Sequence, residues 1–333
     1  MSETEGETAG RVRSAEPPGH VSIIVPARNQ AHAVRDLVTR VIAQGVENGV
    51  DIEVLVVDDG SSDATAEVAR QAGARVLRLP AGEAGGNPAR ARNRGAAAAD
   101  GDPLIFLDAD CMPRPDWLRT LLAAHDRGAA VVGGAFELAP GLPATARCDY
   151  YAGWYHVHGR RAAGLVSQHP PGNLSVRRAV FRQTCGFTET HPVAYAHEEL
   201  AWQAQAVGSH GRIAFEPGAG VEHHNRPGIG NLLRRNYRWG YSAIESKAAA
   251  GTARWPWLYR NPRLLVVSSL PLAAASSFYV IAEWLRAGRG EPLLMSPGIL
   301  AARLAYAAGM IARATGRRRG RDDTGSDQRP RWE

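Results

Sequence analysis

The chain has 333 residues, of which 44% are hydrophobic and 22% charged, with a net charge of +6. That size and balance call for one large packed domain with appendages and exclude a low-complexity or wholly disordered chain. Cys111, Cys148 and Cys185 are odd in number and widely spaced, which excludes a disulfide framework or a zinc-binding spacing and fits a reducing cytoplasm. Much of the basic excess sits in Arg317, Arg318, Arg319 and Arg321. A membrane-proximal or solvated tail accounts for it more simply than a nucleic-acid-binding face, so no nucleic-acid partner is expected.

Residues 1–19 are polar, acidic at the start and without periodicity, as expected of a disordered segment rather than a signal peptide. Val21–Pro26 (VSIIVP) predicts a buried strand, and apolar residues at helical spacing predict a helix over 31–44. Ile52–Val57 predicts a second strand, with Ser62 or Asp63 capping a helix near 63–72. Arg75–Leu79 follows as a strand, Ala89–Ala99 as a helix and Leu104–Leu107 as a fourth strand. Such alternation predicts a parallel α/β sheet, whose ligands bind beyond the carboxyl ends of the strands. Asn29, Asp58, Asp59, Asp108 and Asp110 all stand just after those ends.

Beyond residue 112 the pattern loosens. Helices are expected at Trp117–Asp126, Glu198–Val207 and Asn231–Lys247, and strands at Ala130–Leu138 and Arg212–Phe215. Residues 150–200 mix aromatics, glycine and proline, as an acceptor-binding region would. Leu264–Ala282 holds 19 residues without a charge, about the length that spans a bilayer, although Pro271 and four serines weaken that reading. Leu293–Ala314 contains Arg303 and Arg313 and suits an amphipathic or half-inserted helix. The basic cluster after it favours a cytoplasmic end, so the protein is expected at the cytoplasmic face of a membrane, or in the cytoplasm if these helices are soluble.

Asp108-Ala109-Asp110 follows the fourth strand. Two carboxylates two apart form a hard-oxygen corner suited to Mg²⁺ or Mn²⁺. Asp58-Asp59-Gly60-Ser61-Ser62-Asp63 is either a structural turn or a site whose carboxylates accept hydrogen bonds from a base and a ribose. Arg90, Arg92 and Arg94 open a helix after a glycine-rich loop, where free N–H groups and guanidinium groups favour phosphate.

The ordered strings VSIIVPARNQ, VVDDGSSD, ARNRG, FLDAD, GNLSVRR, HEELAWQ and VEHH resemble glycosyltransferase family 2, the inverting GT-A group, over about residues 20–240. The resemblance implies a GT-A fold, a Rossmann-like mixed α/β sheet, here followed by C-terminal apolar helices. It implies a nucleotide-diphosphate sugar donor lined by Pro26, Arg28, Asn29, Asp58, Asp59, Arg92 and Asp108. It implies a metal held by Asp110, with Asp108, neutralising the leaving diphosphate. His223 suits a third ligand. An inverting displacement needs a base. The family's acidic pair corresponds to Glu198-Glu199 here, longer by one methylene at the second position; Glu199 takes the base role, with Glu198 as the alternative. Gly172-Asn173 resembles the acceptor-loop signature. Arg235-Asn-Tyr-Arg238-Trp239 resembles the Gln-x-x-Arg-Trp signature of processive synthases, with Arg in the first place. The chain also lacks their many spanning helices, so single-sugar transfer to a lipid-linked or saccharide acceptor is expected. Arg234, Arg235 and Arg238 either touch pyrophosphate or lipid headgroups or form a solvated face.

The expected organisation is a disordered 1–19, a catalytic domain at 20–250 (nucleotide half 20–112, acceptor half 113–250), hydrophobic helices at 260–315 and a basic tail at 316–333. Three other functions are weaker. A nucleotidyltransferase would want a glycine-rich basic loop after the first strand, which PARNQAH is not. A non-catalytic sugar-nucleotide binder would not need Glu198 and Glu199. A nucleic-acid binder would show a recognition motif.

Overall fold

The computed structural model describes residues 20–190, 196–249, 256–259 and 261–316. The segments expected to be a disordered start (1–19) and the arginine cluster of the tail lie outside these residues. Val21–Ala27 forms β1 and Ile52–Asp58 forms β2, paired in parallel with Ala27 beside Asp58. Arg75–Arg78 (β3) and Leu104–Leu107 (β4) extend the parallel sheet on either side. The helices between them are α1 (Ala31–Glu47), α2 (Thr65–Gln71) and α3 (Pro88–Ala98). All these elements match the sequence expectation; β1, β2 and β4 are short apolar runs buried on both faces, whereas β3, RVLR, is a half-exposed edge strand. Ile23, Val25, Val56 and Ile105 join one core cluster while Ile24, Leu55, Val57 and Phe106 join the other, as the two-residue period of a strand requires.

The second half is mixed. Cys111–Pro113 (β5), α4 (Trp117–Asp126), Val131–Leu138 (β6), α5 (Ala144–Gly153), Gly164–Val166 (β7), Asn173–Val176 (β8), α6 (Arg178–Arg182), α7 (Leu200–His210) and Ile213–His223 (β9) follow in order. The sheet runs β3-β2-β1-β4-β8-β6-β9-β5, with β7 on β9. β8 lies antiparallel between β4 and β6. It therefore inserts a strand where the sequence suggested only a loop. β9 runs on to His223, past the expected end at Phe215, with a register shift against β6 between Gly134 and Phe136.

The C-terminal region comprises α8 (Ile229–Ala249), α9 (Pro256–Tyr259), α10 (Pro262–Arg286) and α11 (Ser296–Ala314). Added side-chain carbons at Gly240 and Gly309 would collide with the Tyr306 and Tyr237 carbonyls, so α8 and α11 cross in backbone contact. The stretch expected to be amphipathic or half-inserted, residues 293–314, thus includes a helix packed along one side on α8. Among the described residues one helix, over Arg263–Arg286, is long and apolar enough to cross a membrane, with mean hydropathy 1.9 and most of its surface unburied. Pro271 does not break it. Ser268, Ser269 and Ser277 donate to carbonyls three or four residues back, which hides their hydroxyls within the helix.

Candidate active site

The carboxyl ends of β1 and β2 are tied by short polar side chains. Asn29, at a φ of 55° that Asn tolerates well, accepts the Ser62 N–H at 2.8 Å and donates its own N–H to Ser61 Oγ at 3.0 Å. Asp63 accepts from Thr65 N at 3.0 Å and Ala31 N at 3.2 Å, so one carboxylate serves the first turns of both α1 and α2. The N-cap position of α2 is Ala64, not the expected Ser62 or Asp63; Asp63 instead accepts the first helical N–H from one residue further back. Asp58 is buried, accepts from Ser61 N at 2.9 Å and pairs with Arg78 at 3.2 Å. Asp59 is buried and accepts the Gly85 N–H at 2.9 Å. Pro26 is half-buried and Arg28 exposed at the same edge.

The arginines of α3 do not face an open phosphate position. Arg90 binds Glu189 and the Glu83 carbonyl, and Arg94 binds the Glu83 carboxylate. Arg92 is 3% exposed and donates to Asp108 Oδ1 at 2.5 Å and Glu198 Oε1 at 3.0 Å. The sequence placed Arg92 on the nucleotide sugar; burial between two carboxylates instead makes it the cation that joins the aspartate motif to the acidic pair.

Asp108 is also held by its backbone N–H to the Gly172 carbonyl at 3.1 Å. A side-chain carbon at Gly172 would run into the Asp108 carboxylate, so glycine is needed for this approach. Asn173, expected on the acceptor side, is turned away. It is fully buried, accepts from Trp117 Nε1 at 2.8 Å and donates to the Ala135 and Ala219 carbonyls at 3.0 and 2.9 Å. It ties α4, β6 and β9 together and is shut off from the surface.

Asp110 and His223 face each other across the β5–β9 pair, with Nε2 to Oδ1 at 3.8 Å. Together with Cys111 they form a cluster whose ligand atoms all lie within 4.8 Å. Two metal bonds of about 2.1 Å reach across such a gap, so the Asp110–His223 pair fits a divalent cation. Burial and the neighbouring Asp110 and Asp108 charges push the Cys111 thiol well above its ordinary pKa, and a soft sulfur is in any case a poor match for the hard cations Mg²⁺ and Mn²⁺. Asp108, the expected second ligand, is outside this cluster, with one oxygen on Arg92.

Glu199 stands at the start of α7, is 9% exposed and makes no capping hydrogen bond. Among the described residues no cation pairs with it. Burial, then the adjacent Glu198 carboxylate, push its pKa up to about 8. Glu198, by contrast, is paired with Arg92 at 3.0 Å. The pair that looked equivalent in sequence is therefore split: one carboxylate is locked on Arg92, the other has no ion-pair partner among the described residues. His197, at a φ of 62°, bonds Ser242 Oγ of α8 at 2.7 Å and fixes the loop before them. Arg235 points inward onto Asp149 at 2.7 Å, not to a solvated face. Sequence reasoning missed Asp149 and Asn225; the nearest signal was Asn225 two places after His223.

The profile described as glycosyl transferase family 2 matches residues 22–184. A pre-mycofactocin glycosyltransferase of Mycobacterium tuberculosis is 30% identical over 249 residues, 71% of this chain and 50% of that protein. The chain thus spans half the length of that relative. Glycosyltransferase AglE of Haloferax volcanii is 30% identical over 229 residues, 68% of this chain and 73% of that protein. Glucosyl-3-phosphoglycerate synthase from Mycobacterium tuberculosis, in complex with Mn²⁺, UDP-glucose and phosphoglyceric acid, has a TM-score of 0.52 at 22% identity, covering 75% of this chain and 86% of that one. At that identity the likeness is one of fold, and it is the GT-A fold.

Proposed function

The chain belongs to glycosyltransferase family 2, and we propose that it transfers a sugar, with inversion, from a nucleotide-diphosphate donor to a lipid-linked or saccharide acceptor. The observation that carries this is Glu199: a buried carboxyl with no ion-pair partner among the described residues, linked through Glu198, Arg92 and Asp108 to the strand end that carries Asp110. In this scheme residues 20–112 form the nucleotide half, with Pro26, Arg28, Asn29, Asp58 and Asp59 at the donor edge. Residues 113–250 form the acceptor half, where Gly172 leaves room beside Asp108.

The acceptor hydroxyl oxygen attacks the anomeric carbon while the bond to the nucleotide diphosphate breaks on the opposite face. Glu199 receives the hydroxyl proton, which raises the nucleophilicity of that oxygen. Arg92 keeps Asp108 and Glu198 in place and leaves Glu199 as the proton acceptor. Asp110 and His223 would hold Mg²⁺ or Mn²⁺, which supplies charge neutralisation for the departing diphosphate. A thermal-shift panel of nucleotide sugars with Mn²⁺ tests this. A cognate donor at about a hundred times its Kd stabilises the fold by about 2.7 kcal/mol. Asp110→Ala should abolish the Mn²⁺-dependent part of that shift together with transfer; a full shift and full transfer in that variant remove the metal role.

The structure of α10 favours association with a membrane surface over spanning. Leu265, Ala273, Val280 and Trp284 form its buried stripe, and Trp284 Nε1 donates to the Tyr151 carbonyl at 2.9 Å. Val267, Leu270 and Phe278, at 76%, 67% and 76% exposure, form the opposite stripe. A helix packed along one side presents only the other to lipid. Val267→Glu and Phe278→Glu should each weaken co-sedimentation with anionic lipid vesicles by about tenfold, the equivalent of one buried apolar side chain. Unchanged sedimentation would place the membrane contact elsewhere.

A further inference from the structure

Behind His223 runs a buried chain of polar groups that the proposed chemistry does not itself use. His223 Nδ1 is 2.8 Å from Asn225 Oδ1. Asn225 Nδ2 donates to Asp149 Oδ2 at 2.7 Å. Asp149 Oδ1 pairs with Arg235 of α8 at 2.7 Å, and the same guanidinium donates to the Asp149 carbonyl at 3.0 Å. His223, Asn225 and Asp149 are 8%, 2% and 4% exposed. Arg235 lies over the Trp239 ring at 4.5 Å, and Trp154 packs at 4.8 Å against the His223 ring and stacks on Phe136. These groups come from α5, the end of β9 and α8, joined only by folding.

The polarity of the chain is dictated end to end. An ionised carboxylate only accepts, so Asp149 must receive the Asn225 amide N–H. The Asn225 oxygen is then the atom left to face His223, so Nδ1 is the nitrogen that donates. In the neutral ring this leaves the lone pair on Nε2, the nitrogen 3.8 Å from Asp110 Oδ1. Burial raises the Asp149 pKa on balance, and the Arg235 ion pair is the chief opposing influence that favours its carboxylate form.

We infer that Asp149, Asn225 and Arg235 are positioning residues that hold His223 in its Nδ1–H tautomer with Nε2 presented to a divalent cation. This rests on the Asp110–His223 centre proposed above. It also gives the arginine in Arg235-Asn-Tyr-Arg238-Trp239 a role directed at a protein carboxylate, not at substrate. Outer partners of this kind fix tautomer and ring orientation and govern metal affinity.

The test is Mn²⁺ titration of the full-length apoprotein by electron paramagnetic resonance, without donor. Asn225→Leu and Asp149→Asn should each weaken Mn²⁺ binding by about 10–100-fold, approaching His223→Ala. Asp149→Asn is the sharper variant because it preserves shape but lets the Asn225 amide reverse. In ¹⁵N spectra it should shift His223 from the Nδ1–H to the Nε2–H tautomer, a change that loss of packing alone does not produce. If it fails to fold with Arg235 uncompensated, Asp149→Asn/Arg235→Met removes the stranded charge and carries the same expectation. Near wild-type Mn²⁺ affinity in these variants, with His223→Ala weakened, overturns the positioning role and leaves the metal centre standing. No effect of His223→Ala, or no Mn²⁺ binding by the wild type, overturns both.

Discussion

Glu199→Gln is expected to leave nucleotide-sugar and Mn²⁺ binding intact while slowing transfer by about 10²–10⁴-fold, the range that a positioned general base supplies. The substitution keeps size and polarity and removes only the proton-accepting charge. A pH signature should accompany it. The Glu199 pKa is raised to about 8, by burial first and then by the Glu198 charge, and a base acts only when deprotonated. Wild-type kcat/KM should therefore climb as pH rises through about 8, and the variant's residual rate should lack that limb. Stability has the opposite sign. A carboxyl whose folded pKa exceeds its unfolded value favours the folded state fully below the unfolded value, and this contribution is lost as pH rises through the folded one. Glu199→Gln should thus match the wild type near pH 4 and melt higher than it above pH 8. If Glu198→Gln alone removes the alkaline limb while Glu199→Gln retains it, the base is the other carboxylate.

The split between these two glutamates shows where the sequence was and was not sufficient. β1, β2 and β4 are apolar runs closed by polar turns, so their carboxyl ends, and with them Asp58, Asp59, Asp108 and Asp110, could be placed from local pattern alone. α4 matches its expected bounds of Trp117–Asp126 because a single apolar stripe defines it. β8 was not legible: its four residues, NLSV, begin with the Asn of a Gly172-Asn173 pair that imitates a turn, and only pairing with β4 and β6 makes them a strand. The same event turns Asn173 inward. Arg92 looked like a phosphate ligand because its neighbours are basic, whereas its partners Asp108 and Glu198 lie 16 and 106 residues away. Long-range pairing of that kind leaves no periodic trace. Asp149 and Asn225, 76 residues apart, escaped for the same reason.

Arg92→Met should be the most damaging single change to stability in the catalytic domain. The guanidinium is 3% exposed and compensates two carboxylates, of which Glu198 is equally enclosed and Asp108 about a third exposed. Removing one partner of a buried pair typically costs about 3–5 kcal/mol, because the remaining charge has neither water nor a counter-ion. A shift in urea midpoint measures it, and a midpoint near the wild type would show that solvent reaches Glu198 after all. Replacing both partners should be far milder: Arg92→Met/Glu198→Gln leaves no stranded charge between α3 and α7 and should recover most of the loss. Transfer should not recover with it, because Asp108 has lost the donor at 2.5 Å that orients it beside Gly172. A double variant that is stable but inactive would separate the two roles of Arg92, as structural cation and as holder of the aspartate. A double variant regaining both would mean that Asp108 is oriented by the Gly172 carbonyl contact alone.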